Sequence, residues 1–280
     1  MSTDLATPPR LHAPLPSPAA WVAWFRDAPI PVLASTASAL AELAANEDAV
    51  DAHLLAEAIG SDPMMTLRML AHVGMNSRRT TDVETVIGAL VLMGVGPFFR
   101  HFGELPTIEA SLADDPAALA GARAVLARAH RAARFALGFA AHRLDPDAAV
   151  IHEAALLHDF AELLLWCHAP GLALEIAQRQ KADPSLRSSS AQRAVLGITL
   201  ADLQQQLMKA WRLPELLIRL GNDQHAEHTQ VRNVLLAVRV ARHTAQGWDN
   251  AALPDDVADI GALLQLGPAP TLKLLHEIDA

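Results

Sequence analysis

Along most of this chain, apolar residues recur every three to four positions, the spacing of helices that bury one face. Runs with that spacing cover Leu33 to Ala45, Val50 to Ile59 and Pro63 to His72. A polar loop, Asn76 to Asp82, precedes an apolar pair, Val83 to Met93 and Val95 to Phe102, broken at Gly94. A long helix is predicted from Pro116 to Arg143, spanning roughly 40 Å at the helical rise. Leu126, His130, Ala133 and Leu137 share one face of it. From Asp147 to Trp166 the pattern is apolar almost all round, which predicts a central buried helix or helix pair. Amphipathic runs follow at Gly171–Lys181, Ser188–Val195, Leu200–Trp211, Pro214–Leu220 and Thr229–Gln246, then a last segment, Asp255 to Ala280, broken at Gly267-Pro268.

Helix starts are marked by proline behind a capping residue. Proline at the first helical position loses no hydrogen bond, and Ser or Asp before it accepts from the open amides. Ser17-Pro18, Asp62-Pro63, Asp115-Pro116, Asp145-Pro146 and Asp183-Pro184 carry the signal, and Leu213-Pro214 carries it without the cap. Residues Leu105 to Asp115 read as a linker. The expected organisation is all-α, with two packed helical subdomains: a flexible leader over 1–17, an N-terminal subdomain over 18–110, a bundle over 111–250 and a helical tail over 251–280.

Composition supports this pattern and narrows the function classes. Hydrophobic residues make up 51% and aromatics 4%, with no Tyr. The apolar content is therefore largely Ala and Leu, both strong helix formers. The net charge is −9 and no basic block is present. Nucleic-acid binding, which needs clustered Lys and Arg, is not expected. Cys167 is the single cysteine, so neither an intrachain disulfide nor a CxxC metal site can form. That suits a reducing cytoplasm. The segment Met1 to Pro18 is polar and Pro-rich and lacks the pattern of a signal peptide. The longest apolar run, Val86 to Phe99, holds three glycines and a proline. It falls short of the ~18 residues of a membrane span, so no membrane association is expected.

Candidate chemistry lies at His158-Asp159, a histidine and a carboxylate side by side at the end of an apolar stretch, with His130 upstream. Such residues can share one divalent metal, which acidifies bound water and screens phosphate charge. Without a metal they form a buried polar network tying the long helix to the central one. There is no G-x-S-x-G, Walker A motif or G-x-G-x-x-G.

Several segments, in order, resemble the HDOD proteins, a bacterial module related to HD-domain metal-dependent phosphohydrolases. Ile30-Pro31-Val32-Leu33 resembles the family's opening stretch, Asp62-Pro63-Met64-Met65-Thr66-Leu67-Arg68-Met69-Leu70 its D-P-x-L-T segment, and Asn76-Ser77 its N-S. Val83 through Gly94 resembles the V-x-x-A-I-x-x-L-G stretch. His130, Leu156-Leu157-His158-Asp159 and Trp211-Arg212-Leu213-Pro214-Glu215 match the second half. The resemblance implies that His130, His158 and Asp159 supply three of four metal ligands. The fourth, an aspartate in an L-A-D pattern, is replaced by Arg242 in Val240-Ala241-Arg242. A guanidinium cannot ligate a metal. Leu200 takes the place of another family histidine, and Asp223-Gln224 the place of a His-His pair, with His225 and His228 just beyond. Phe160-Ala161-Glu162 follows the His-Asp pair where the family often has Gly-Lys.

The resemblance therefore implies a non-catalytic signalling or regulatory module with a degenerate HD metal site, acting on a protein partner bound in trans. No cofactor is expected, although Fe, Mn, Ni or Zn remains an option at His130, His158 and Asp159. Asn76, Ser77, Arg78 and Arg79 are candidate partner-facing residues. The alternatives are a metal-dependent phosphohydrolase acting on a nucleotide or cyclic dinucleotide, and a small-molecule sensor using the pocket under His158. The methionines at 64, 65, 69, 75 and 93 are expected to fill the core.

Overall fold

The computed structural model describes residues 10–76 and 84–280. Ser77, Arg78 and Arg79, among the candidate partner-facing residues, lie outside them, as do residues 1–9 of the expected leader. The protein is all-α. Its helices are α1 (Pro18–Asp27), α2 (Ala34–Ala44), α3 (Ala52–Ile59), α4 (Pro63–Asn76), α5 (Val86–Met93), α6 (Val95–His101), α7 (Ile108–Ser111), α8 (Pro116–His142) and α9 (Ala148–Leu156). There follow α10 (Phe160–His168), α11 (Pro170–Ala182), α12 (Ser188–Leu196), α13 (Leu200–Ala210), α14 (Glu215–Leu220), α15 (Thr229–His243), α16 (Leu253–Leu264) and α17 (Pro268–Asp279). Among the described residues no single helix is long and apolar enough to cross a membrane.

The helices fall into two compact units that interleave in sequence: Met1–Val125 with Phe160–Leu213, and Leu126–Asp159 with Pro214–Ala280. This differs from the sequential blocks expected at 18–110, 111–250 and 251–280. The chain passes from one unit to the other inside α8, which local pattern alone cannot mark.

In the first unit, Trp21 and Phe25 of α1 are buried and stack at 5.8 Å. The Trp21 indole donates to Leu196 O at 3.1 Å, and that of Trp211 to Arg26 O at 3.2 Å. Residues 10–17 are anchored rather than loose: Arg10 pairs with Asp114 and the Leu11 amide donates to His168 O at 2.7 Å. The expected linker is also structured. It carries α7, and Val32 bridges to Thr107, with Val32 N–H donating to Pro106 O at 2.9 Å.

Asp62 is wholly buried and does more than cap α4. It accepts from the amides of Met64 (2.8 Å), Met65 (3.1 Å) and Leu33 (2.8 Å), and from the Thr36 side chain. One carboxylate thus joins the start of α2 to the start of α4. Burial pushes its pKa above the ordinary value, against the lowering effect of these bonds. The Trp-Arg-Leu-Pro segment closes α13: Arg212 adopts the left-handed conformation (φ 53°) and Leu213 N–H donates back to Met208 O at 2.9 Å. This is the 6→1 bond of a Schellman cap. Gly74 of α4 lies against that corner, where a Cβ would stand 2.4 Å from Arg212 O.

In the second unit, Ala129 and Ala133 of α8 pack with Leu156 of α9. The expected stripe on α8 is corrected at Leu137, which is 42% exposed, while Phe135, Ala136 and Phe139 are buried. The C-terminal helices belong to this unit and are not an appended tail. Arg239 pairs with Asp256 at 2.7 Å and Asp259 at 2.6 Å, and His243 with Asp256 at 2.6 Å. Arg131 binds Asp279 at 2.6 Å and donates to Thr244 O at 2.7 Å.

One helix-start marker fails. Asp183-Pro184 opens no helix at Pro184, because Asp183 closes α11 and turns its carboxylate onto Ser185 N at 2.9 Å. The next helix, α12, begins at Ser188. Asp145-Pro146 is offset: α9 begins at Ala148, and both Asp145 and Asp147 accept from Gln230. Met64, Met65 and Met69 fill the core as expected, but Met75 is 46% exposed.

Candidate functional site

The apolar run of α9 stops at Leu156, and Leu157, His158 and Asp159 make the turn into α10. This turn presents both polar side chains on the second unit, nearly buried, at 11% and 13% exposure. Nδ1 of His158 lies 3.0 Å from Oδ1 of Asp159, and Nε2 lies 3.0 Å from Oδ1 of Asp223. Asp223 comes from the short helical turn Asp223–His225 that precedes α15.

A histidine with a carboxylate oxygen at each ring nitrogen donates at both only as the imidazolium. Burial opposes that charge, but the hydrogen bonds and charges of Asp159 and Asp223 outweigh it, raising the His158 pKa to about 9. The ring is therefore a cation at neutral pH and is not poised to accept a proton.

Asp159 is held from its other side by α15. Nη2 of Arg242, in the last turn of that helix, lies 3.1 Å from Oδ1 and 3.2 Å from Oδ2. Nη2 of Arg128, on α8, stands 3.8 Å from Oδ2. Burial disfavours the Asp159 charge, but Arg242, His158 and Arg128 hold its carboxyl well below the usual range. Three cations, His158, Arg242 and Arg128, thus gather around two carboxylates, Asp159 and Asp223.

The remaining candidates are placed as follows. His130 is half-buried on α8, near enough to His152 to add to the effect of burial in lowering the His152 pKa. Leu200 is a buried apolar residue at the start of α13 in the first unit, its amide donating to Gln192. Gln224 and His225 are exposed, and Glu227 lies 3.3 Å from His225 and 3.6 Å from His228. Asn76 ends α4 and donates to His72 O at 2.8 Å. Among the described residues, no three His, Cys, Asp or Glu side chains are arranged to hold a metal ion.

The donor chemistry at His158-Asp159 accordingly does not fit a metal. Both imidazole nitrogens are directed at carboxylates, and both oxygens of Asp159 face a guanidinium. Two participants go beyond the sequence reading. Arg128 stands in the short basic patch Arg128-Ala129-His130-Arg131, but only packing shows that it reaches Asp159. Asp223 is legible as a substituted position, not as the second carboxylate on His158.

The family model for the HDOD domain matches residues 30–227. The fold is similar to the MmoQ response regulator from Methylococcus capsulatus str. Bath, with a TM-score of 0.67 and 22% identity over 88% of this chain and 98% of that one. It is also similar to a virulence factor from Campylobacter jejuni subsp. jejuni, with a TM-score of 0.65 and 17% identity over 92% of this chain and 97% of that one. Among curated proteins, nothing matches.

Proposed function

The chain belongs to the HDOD family, and we propose that it is a non-catalytic signalling module acting through protein contacts. What carries this reading is the arrangement at Asp159, where Arg242 lies against both carboxylate oxygens and His158 is fixed between two carboxylates. A hydrolytic centre of this type needs a metal-bound water or a base able to accept a proton. Here the donors are engaged by other side chains, and the histidine carries its proton at neutral pH. The same residues serve instead to hold the turn between α9 and α10 to α8, α15 and the Asp223 turn.

The partner is a protein rather than a nucleic acid or a membrane, in keeping with the net charge of −9. The compartment is the cytoplasm, which suits a lone buried Cys167 whose thiol burial pushes up to about 12. One protein of similar fold is the MmoQ response regulator, and this chain is proposed to work in signalling of that kind.

The test is hydrolysis. The purified chain is incubated with p-nitrophenyl phosphate, bis-p-nitrophenyl phosphate and a cyclic dinucleotide, with Mn2+, Fe2+, Ni2+ or Zn2+ present. No turnover above the buffer rate is expected. Metal-dependent turnover that disappears in His158→Ala would overturn the proposal in favour of a phosphohydrolase.

A further inference from the structure

We propose that Arg242 is the resident cation of the His158–Asp159–Asp223 centre, and that this guanidinium, not a shortage of ligands, keeps divalent metals out. The inference rests on the non-catalytic reading above and deepens it. An imidazole and two carboxylates, ligand types that Mn2+ and Zn2+ accept, are already joined here, with a carboxylate oxygen 3.0 Å from each nitrogen of the His158 ring. Among the described residues, no such group is nonetheless arranged around a metal position.

The reason is visible at Asp159. Its carboxylate, 13% exposed, needs positive charge to remain ionised there. Arg242 supplies it with one nitrogen at 3.1 and 3.2 Å from the two oxygens, and Arg128 adds a second positive charge at 3.8 Å. A divalent ion on Asp159 would displace the first and stand beside the second. With its carboxylates balanced from within, the centre keeps its geometry without a metal. Arg242 is 46% exposed and sits in the last turn of α15, so its side chain can be replaced without opening the core.

The experiment measures bound Mn2+ and Zn2+ by elemental analysis after dialysis, and by titration calorimetry, on the full chain. His225→Ala and His228→Ala are introduced throughout, so that the exposed histidines do not contribute. In that background the chain with Arg242 intact is expected to retain less than about 0.1 equivalent. Arg242→Asp, which removes the cation and adds a carboxylate, is expected to retain about one equivalent and to lose it again when His158→Ala is added. Circular dichroism establishes that each variant is folded; if Arg242→Asp is not, Arg242→Gln is read in its place, with binding at least tenfold above the Arg242-containing chain expected.

A folded variant that binds no more metal than the Arg242-containing chain overturns this inference alone, provided the hydrolysis assay stays negative. One equivalent bound with Arg242 in place, and lost in His158→Ala, also overturns it. If that metal supports hydrolysis, the proposed function falls as well.

Discussion

Asp62 and Asp159 are two buried aspartates in two separate units, each inside a segment that resembles its family's motif, yet they are stabilised by opposite means. Asp62 sits among backbone amides and a hydroxyl, with no cation among its partners in the described residues. Asp159 sits among charges: Arg242, His158 and Arg128. Burial acts on both carboxyls in the same direction; it prevails at Asp62, whose pKa is raised, and is outweighed at Asp159, whose pKa is lowered. A carboxylate tied to amides builds a helix junction and carries little charge coupling. One enclosed by side-chain cations marks a place where charge is balanced, and a change there alters the chemistry as well as the fold.

The largest expected effect is at Asp62. Asp62→Ala leaves three amides and the Thr36 hydroxyl without their acceptor. It should cost about 3–4 kcal/mol, given a loss of ~1–3 kcal/mol for each buried group left unsatisfied and partial relaxation. Urea unfolding measures it, and a loss under ~1 kcal/mol would refute the junction role.

Next is Asp159→Asn, which puts a neutral amide in place of the carboxylate that faces Arg242, His158 and Arg128. It should cost about 2–3 kcal/mol, below the range for fully buried pairs because Arg242 is half exposed. Melting in low and high salt sharpens the contrast. Screening at 1 M salt, where the Debye length is ~3 Å, should reduce the Asp159 effect and leave the Asp62 effect unchanged.

The pH dependence separates the two aspartates further. The folded-state pKa of Asp159 is lowered, so its contribution is present above the ordinary value of 3.8 and is lost as pH falls through the folded value. For Asp62 the folded pKa is raised, so protonation in acid brings no such loss. His158 works at the other end. Its folded pKa is raised, so its contribution is complete below pH 6.5 and is lost as pH rises through about 9. Stability should therefore fall by roughly 2 kcal/mol between pH 7 and pH 10. His158→Gln should flatten that slope, and ring 15N shifts should report an imidazolium at pH 7. Asp223→Asn should have the smallest effect, about 1 kcal/mol, because that carboxylate is 41% exposed; it should also lower the His158 pKa.

Much of this was legible in the sequence where local rules act. The cap at Ser17 predicts the start of α1, and caps at Asp62 and Asp115, together with apolar spacing, predict α4 and α8 to within a few residues of their observed bounds. The marker at Asp183 misleads because an Asp-Pro pair serves a turn as well as a helix start. The segment 105–115 looks like a linker because its partner, Val32, is far away in sequence. The unit boundaries are set by long-range packing and cross α8 where nothing in the sequence changes. At the site, His158-Asp159 and Arg242 can be read from motif order. The reach of Arg128 to Asp159, the bond from Asp223 to His158 and the close approach of Gly74 to Arg212 depend on how distant segments meet.

In the proposed function, Arg242 and Asp159 act as one charge pair in place of a metal centre. A double-mutant cycle on urea unfolding, using Asp159→Asn, Arg242→Gln and the combined variant, tests this most directly. A favourable coupling of about 1–2 kcal/mol is expected at low salt, reduced at 1 M salt. Losses that add to within ~0.3 kcal/mol, with no coupling and no salt dependence, would contradict it.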